Sequence, residues 1–490
     1  MASATAASTF SVGRIALGGA LRRAIGDDWV MTEPDEVAIY AYDGSVEHAL
    51  PDAVVFPRDT AGVQAVVRIA HELGVPIIGR GAGTGLSGGA IAACGGIVVS
   101  TSRMNRILEV DYRNMRAVVE AGVVNADLSA HTSSYGFHYA PDPSSQAACT
   151  IGGNIATNAG GPHTLLHGVT TNHVLGVEFV TLDGRIVTAG GAALDHPGYD
   201  LAGLFCGSEG TLGIATKAVV RLVRTPAQVR TMLASFDEVA QSSAAVSGII
   251  AAGIVPAAME MMDQISLEAI AQYVPAANLP TDKAAVLLIE LEGVAAELEP
   301  QEAAIRRVFA EHGAAEVRVA ADARERALLW LGRKSAFGAM GRISPNYYVQ
   351  DGVIPRTTIT DVLARIAGVS DFFNITIANV FHAGDGNLHP LLLFDDRENG
   401  ALDRVIECGT SVLKVCADAG GMLSGEHGIG MEKHRNMGLV YSDADLQRMQ
   451  CLRHVFNPRN LFNPGKIFPT AVSCAEVNNL CRGVAADTHP

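Results

Sequence analysis

The chain has 490 residues, 48% of them hydrophobic and 18% charged, with a formal net charge of −15. That length predicts two or three domains with ample core, and the composition excludes a disordered chain. The acidic balance argues against a nucleic-acid binder, which needs a basic face, and no run of about eighteen uncharged apolar residues offers a membrane span.

In chain order, residues 1–26 carry Arg14, Arg22 and Arg23 among Ala, Ser and Thr, without an acid. That composition suits either an organellar transit peptide or an ordinary N-terminal helix over residues 10–25. A well-marked helix follows. Val63, Val66, Val67, Ala70 and Leu73 recur at helical spacing, Asp59 or Thr60 caps it, and Gly74 stops it. Val75–Gly79 then reads as a buried strand leading into RGAGTGLSGGA, in which Gly83–Gly88 spell G-x-G-x-x-G. A Rossmann dinucleotide fingerprint needs a helix directly after its glycines. Here a strand-like run, Ile97–Thr101, comes next, and no Lys completes a phosphate loop. So many glycines in one loop predict a backbone that lies against a bound anionic group.

Two further loops have the same texture: Pro141–His163 and Cys206–Ile214, each mixing Gly with Ser, Thr and Asn. Three such loops suit a long, bent, diphosphate-bearing cofactor better than a single phosphate. Between them, Val174–Leu182 and Arg185–Ala189 flank Asp183-Gly184, a hairpin signal. From Pro226 to about residue 375 Ala-rich helical segments alternate with strands such as Ala285–Leu291 and Tyr347–Ile354, which predicts a second α+β domain. His382 and His389 then flank Asp385-Gly386 between the apolar runs Ile375–Phe381 and Leu391–Phe394. A hairpin there lets the two imidazoles face each other at about 5 Å. Gly425-Glu426-His427-Gly428 adds a carboxylate and a third imidazole. Two His plus one carboxylate with an open position is a common catalytic metal site, against the plainer alternative of hydrogen-bonded core histidines. After residue 400 the pattern is mostly helical and ends in Asn457–Lys466. The cysteines, at 94, 149, 206, 408, 416, 451, 474 and 481, show no C-x-x-C spacing. They are expected to be reduced thiols of a cytosolic protein and offer neither a zinc knuckle nor an iron–sulfur cradle.

RGAGTGLSGGA, PDPSSQAACTIGGN, NAGG and GSEGTLG resemble the FAD domain of the vanillyl-alcohol oxidase and p-cresol methylhydroxylase type. With HAGDGNLHP, SGEHGIG and LFNPGK the ordered set covers nearly the whole chain. It is similar to the FAD-linked D subunit of bacterial glycolate oxidases, within the D-2-hydroxyacid dehydrogenase group. The resemblance implies an α+β fold in four parts: an N-terminal helical segment (1–50), a two-part FAD-binding domain (51–225), a cap domain for substrate and metal (226–430), and a helical C-terminal segment returning to the FAD site (431–490). It also implies that Arg80, Gly81, Ala82, Gly83, Thr84, Gly85, Leu86, Ser87 and Gly88 wrap the FAD pyrophosphate. Pro141, Asp142, Ser145, Gly152, Gly153, Asn158 and Gly160 would line a second wall. Glu209, Gly210 and Ile214 would meet the adenine or ribose, and Asn463 and Lys466 would close the site. Some relatives tether FAD through a His in the first loop; Thr84 stands there in this chain, so the flavin is expected to be noncovalent.

By the same resemblance His382, His389 and Glu426 map onto metal ligands and His427 onto the catalytic base. Zinc, manganese and iron are not separated by ligand type. Arg333 matches the position that clamps the substrate carboxylate, with Arg342 in reserve. The expected reaction is oxidation of a small 2-hydroxy acid, glycolate or D-lactate, to the 2-oxo acid (glyoxylate from glycolate), with the hydride going to flavin N5. Relatives that act on a larger dicarboxylate have a Lys near the stretch Tyr348–Asp351, where this chain has none; a monocarboxylate is therefore favoured. The chain offers no second redox centre. The resemblance implies partners, a second flavin subunit and an iron–sulfur subunit, with the chain cytoplasmic and at most peripheral at the inner membrane. Three readings compete: a self-sufficient dehydrogenase or oxidase, a non-redox flavoenzyme like the ether-lipid synthase, and a metal-dependent hydrolase. The last leaves the three glycine loops unexplained.

Overall fold

The computed structural model describes residues 13–193 and 197–469; residues 1–12 of the N-terminal segment, Cys474 and Cys481 lie outside them. The helix Arg14–Ile25 buries Leu17 and Leu21 against the helix Thr60–Leu73, and Val30–Met31 pairs antiparallel with Ala53–Val55. The N-terminal segment is thus stitched into the sheet that follows it. Thr60–Leu73 forms as its apolar spacing predicts: Val63, Val66, Val67 and Ala70 are buried. The Asp59 carboxylate accepts from Gly62 N–H, and Gly74 ends the helix at φ +67°.

Ile77–Arg80 and Ile97–Ser100 are parallel neighbours in a four-stranded sheet, and the glycine loop between them contains no helix. A five-stranded antiparallel sheet sits beside it, in the order Ile107–Asp111, Arg116–Glu120, Ile214–Arg221, Val174–Val180, Ile186–Gly190. Its last two strands are the expected hairpin, turning at Gly184 with φ +74°. Val180, Leu182 and Ile214 share one apolar cluster with the helix Thr60–Leu73, which joins the two sheets.

The cap is built on a seven-stranded sheet, in the order Glu316–Val319, Gln228–Phe236, Ala285–Gly293, Ala258–Asp263, Ile377–His382, Pro390–Phe394, Asn346–Val349. Side chains alternate between its faces, as the period of two requires. Met232, Ala234, Phe236, Leu287 and Ile289 meet the helices Val239–Ala251, Ala295–Glu311, Ile359–Phe373 and Ala401–Asp418; Leu233, Val286 and Leu288 meet Gln264–Tyr273 and Ala323–Lys334. Covered on both sides, the sheet is a rigid base for the side chains that leave its edges.

Three expectations need correction. The strand expected over Tyr347–Ile354 stops at Val349, because the chain then leaves the ladder and bends around the buried Asp351. The stretch after residue 400 has two long helices, Ala401–Asp418 and Asp443–Phe456. Between them runs an extended loop with a single short 3-10 segment, His434–Leu439, because Gly420, Gly421, Gly425, Gly428 and Gly430 interrupt any helix. Cys149, Cys206, Cys408, Cys416 and Cys451 are free thiols, but Cys94 is disulfide-bonded.

Candidate active site

Three loops converge on one cavity of about 400 Å³. Arg80–Ser87 form one wall, Pro143–Ser145 with Cys149, Thr150, Gly152–Thr157 and Ala159 a second, and Phe205 with Ser208–Gly210 and Gly213–Ala215 a third. Backbone comes close because side chains are missing where they would clash: a Cβ on Gly81 would lie 2.3 Å from Thr150 Oγ1, and Gly83 has φ +73°. Buried donors on these walls have no hydrogen-bond partner among the described residues, namely Arg80 Nη1, Asn154 Nδ2 and Ser208 Oγ. Arg80 is buried beside Tyr40, and burial lowers its pKa. A groove of glycine-rich backbone with unpartnered side-chain donors suits a dinucleotide bearing a diphosphate. The residues fit FAD.

Of the residues expected at the cofactor, Arg80, Gly81, Ala82, Gly83, Thr84, Gly85, Leu86, Ser87, Ser145, Gly152, Gly153, Glu209, Gly210 and Ile214 line this cavity. The others lie behind its walls and hold them. Gly88 packs on Met431. The carbonyl of Pro141 accepts from Asn125, Asp142 pairs with His163, and Asn158 accepts from Thr171 N–H. Gly160 lines a smaller cavity on the far side of Glu426. Asn463 donates to the carbonyls of Gly89 and Glu209, and the buried Lys466 donates to that of Ile91. The C-terminal return therefore acts by tying loops together. Even the Glu209 carboxylate points away, accepting from Ile429 and Gly430 N–H at 2.7 and 2.8 Å.

That contact brings the second half of the site into place. The Ser87 hydroxyl donates to the carbonyl of His427, and Met431 N–H donates to that of Ser87. The cofactor loop and the loop carrying Glu426 and His427 are one hydrogen-bonded unit. Arg333, Lys334, Phe337, His389, Glu426 and His427 complete the cavity wall.

The predicted hairpin is present, with Ile377–His382 antiparallel to Pro390–Phe394. It sets the His382 and His389 rings 4.9 Å apart, and each Nε2 lies 3.2 Å from Glu426 Oε1. The three groups can hold one ion, and Glu426 Oε2 has no hydrogen-bond partner among the described residues. His427 stacks parallel on His389 at 5.0 Å. Burial pushes the His427 pKa down to about 4, leaving it neutral. Burial alone would raise the Glu426 carboxyl, but hydrogen bonds and charge from His382 and His389 hold it well below its usual range. His382 stands between two carboxylates; burial alone would lower its pKa, but Glu260 and Glu426 together raise it well above normal. A divalent cation would replace that charge and release the proton.

Arg333 lies in the last turn of Ala323–Lys334, 3% exposed, with Nη2 2.6 Å from Glu260 and Nε unpartnered. Arg342 is exposed, stacks over Tyr273 and is not on the cavity wall. Sequence reasoning missed Glu260, which accepts from His382 Nδ1 at 2.8 Å and pairs with Arg333. Its signal was an acid inside the otherwise apolar strand AMEMM, since a buried carboxylate must be paired.

Residues 51–190 match the family described as FAD binding domain, and residues 225–467 match FAD linked oxidases, C-terminal domain. The chain is 44% identical to the glycolate oxidase subunit GlcD of Escherichia coli (strain K12) over 93% of this chain and 92% of that one. It is 39% identical to GlcD of Bacillus subtilis (strain 168), covering 88% and 92%. A D-lactate dehydrogenase of Anaerostipes hadrus is 32% identical, covering 88% and 91%. The structure of p-cresol methylhydroxylase with substrate bound shares the fold, with a TM-score of 0.79 at 18% identity over 94% of this chain and 98% of that one.

Proposed function

The chain belongs to the FAD-linked oxidase family, and from that premise we infer that it is an FAD-dependent 2-hydroxyacid dehydrogenase. It oxidises a small 2-hydroxy acid, glycolate or D-lactate, to the 2-oxo acid. The observation that carries this reading is the shared cavity: a wall built for a dinucleotide continues into a wall bearing Arg333, His389, Glu426 and His427.

Arg333 binds the substrate carboxylate, its unpartnered Nε and fixed guanidinium plane giving a two-pronged donor. His427, neutral and buried, accepts the hydroxyl proton. His382, His389 and Glu426 would hold a divalent ion, whose Lewis acidity lowers the pKa of that hydroxyl. Bound FAD supplies a two-electron acceptor for the Cα hydride. Thr84 offers no ring nitrogen for a tether, so the flavin is held without a covalent bond. Phe337 stands edge-on to His389 on the same wall and, with no Lys in Tyr348–Asp351, favours a small monocarboxylate.

No helix among the described residues is long and apolar enough to cross a membrane. The GlcD relatives are named as subunits. We propose that this chain also works with other subunits, a second flavoprotein and an iron–sulfur protein that take its electrons at the membrane face. A panel of 2-hydroxy acids with a dye acceptor tests the activity: glycolate or D-lactate should be oxidised, and a flavin-loaded protein inert to the whole panel would refute the reading. Dye and quinone reduction, compared with and without co-expressed partners, tests the assembly; rapid quinone reduction by the isolated chain would refute it.

A further inference from the structure

Among the buried charges around the site, Asp351 gathers many donors and has no task assigned so far. It follows the strand Asn346–Val349 and is fully buried. Its Oδ1 accepts from Asn387 Nδ2 at 2.9 Å and its Oδ2 from Ser424 Oγ at 2.5 Å. Oδ2 also accepts from three successive backbone N–H groups, those of Gly425, Glu426 and His427, at 3.1, 3.2 and 2.9 Å. One carboxylate therefore grips the loop that carries a metal-ligand candidate and the base. Lys433 Nζ, also buried, stands 3.5 Å away and compensates the charge.

The same carboxylate faces two imidazoles. His389 Nδ1 is 3.7 Å from Oδ1 and His427 Nδ1 is 4.0 Å from Oδ2. Both nitrogens are buried and lack a hydrogen-bond partner among the described residues. The opposite nitrogens point elsewhere: Nε2 of His389 and of His427 lie 3.2 and 4.0 Å from Glu426 Oε1. The rings are parallel to within 7°, so both present Nδ1 to Asp351 and Nε2 to Glu426.

A neutral imidazole carries one proton, and the partner of one nitrogen decides the state of the other. Glu426 faces both Nε2 atoms, but as a candidate ligand it would give its lone pairs to an ion, whereas Asp351 stays behind Nδ1; a carboxylate so placed favours the proton on Nδ1 and leaves the Nε2 lone pair free. We propose that Asp351 is a positioning residue that fixes the Gly425–His427 loop and holds His389 and His427 as Nδ1–H tautomers. Nε2 of His389 is then a ligand and Nε2 of His427 a proton acceptor. The proposal rests on the reading of His427 as the base. Asp351, His389 and His427 also lie close enough to suggest a metal triad. Four donors already meet Oδ2 and the Lys433 ammonium lies 3.5 Å from it, which disfavours a cation there, while Oδ1, with Asn387 as its short donor, keeps room for an imidazole N–H.

The test is a double-mutant cycle in the FAD-loaded enzyme, with Asp351→Asn, His427→Ala and the pair. Asp351→Asn should lower kcat about 10- to 100-fold with little change in KM. Added to His427→Ala it should cost clearly less than it does in the wild type, because one of the groups it positions is gone. Losses that multiply would overturn the proposal, since a purely structural role adds to whatever His427 does. His427→Ala turning over at the wild-type rate would instead refute the base. Nitrogen-15 NMR of histidine-labelled wild-type protein decides the tautomer in that case, or if Asp351→Asn does not fold. The resonances missing in His427→Ala should report Nδ1–H; an Nε2–H tautomer would overturn the proposal.

Discussion

The two walls of the cavity are made differently. The flavin-side wall is mostly backbone, with Gly81, Ala82, Gly83, Gly85, Gly152 and Gly153 from two loops. The facing wall, proposed as the catalytic one, is side chain: Arg333, His389, Glu426 and His427 converge from separate segments, backed by Glu260 and Asp351. The first recognises its ligand through amides that any sequence possesses, so its specificity lies in what is left out. The second depends on buried charges that need one another, so its specificity lies in what is paired. Added bulk should damage the first wall, and altered chemistry at constant bulk the second.

The largest effect is expected on the first wall. Gly83→Val places a Cβ 2.2 Å from Arg80 Nη2 at φ +73°, where a β-branched residue is strained. The protein should purify colourless and inactive; a normal flavin spectrum would break the comparison. On the second wall, His389→Ala should keep its yellow colour but lose metal and turnover together, measured by elemental analysis beside the dye assay. Full activity in a metal-free preparation would remove the ion from the account. Arg333→Lys keeps the charge but not the fork, and kcat/KM should fall about 10- to 100-fold, mainly through KM. An unchanged KM would reassign the clamp.

The smallest effect concerns the seam between the halves. His163 of the FAD-binding half lies 2.8 Å from Asp142 and 3.3 Å from Glu290 of the cap. Burial alone would lower its pKa, but the two carboxylates raise it from 6.5 to about 10. Because the folded value is the higher, the stabilisation is present in full below about pH 6.5 and is lost as pH rises toward 10. The Tm gap between wild type and His163→Gln should therefore narrow across that window; a gap that widens would contradict the pairing.

The same contrast explains what the sequence made legible. The glycine loops and the His382–His389 hairpin could be read because each is local: a strand, a turn, and residues whose chemistry has few other uses. Glu260 and Asp351 could not, because their partners lie 122 and 76 residues away, at His382 and His427. Asn463 and Lys466 were expected at the cofactor and are instead ties behind its wall, because their side chains bond to the carbonyls of Gly89, Glu209 and Ile91. A motif records that a segment reaches a site; whether its side chains face the ligand or the scaffold is decided by packing. The shortened strand at Val349 has the same origin, since the pull of Asp351 on Gly425–His427 is invisible in local periodicity.

The central claim is that one cavity joins a flavin to a histidine base acting on a 2-hydroxy acid. The most direct test is to mix the flavin-loaded protein with glycolate or D-lactate without oxygen and follow the visible flavin band. The account predicts rapid bleaching in the wild type and bleaching slowed about 10²-fold or more in His427→Ala, with the flavin still bound. Bleaching at the same rate in both proteins, or none with either acid in the wild type, would contradict it.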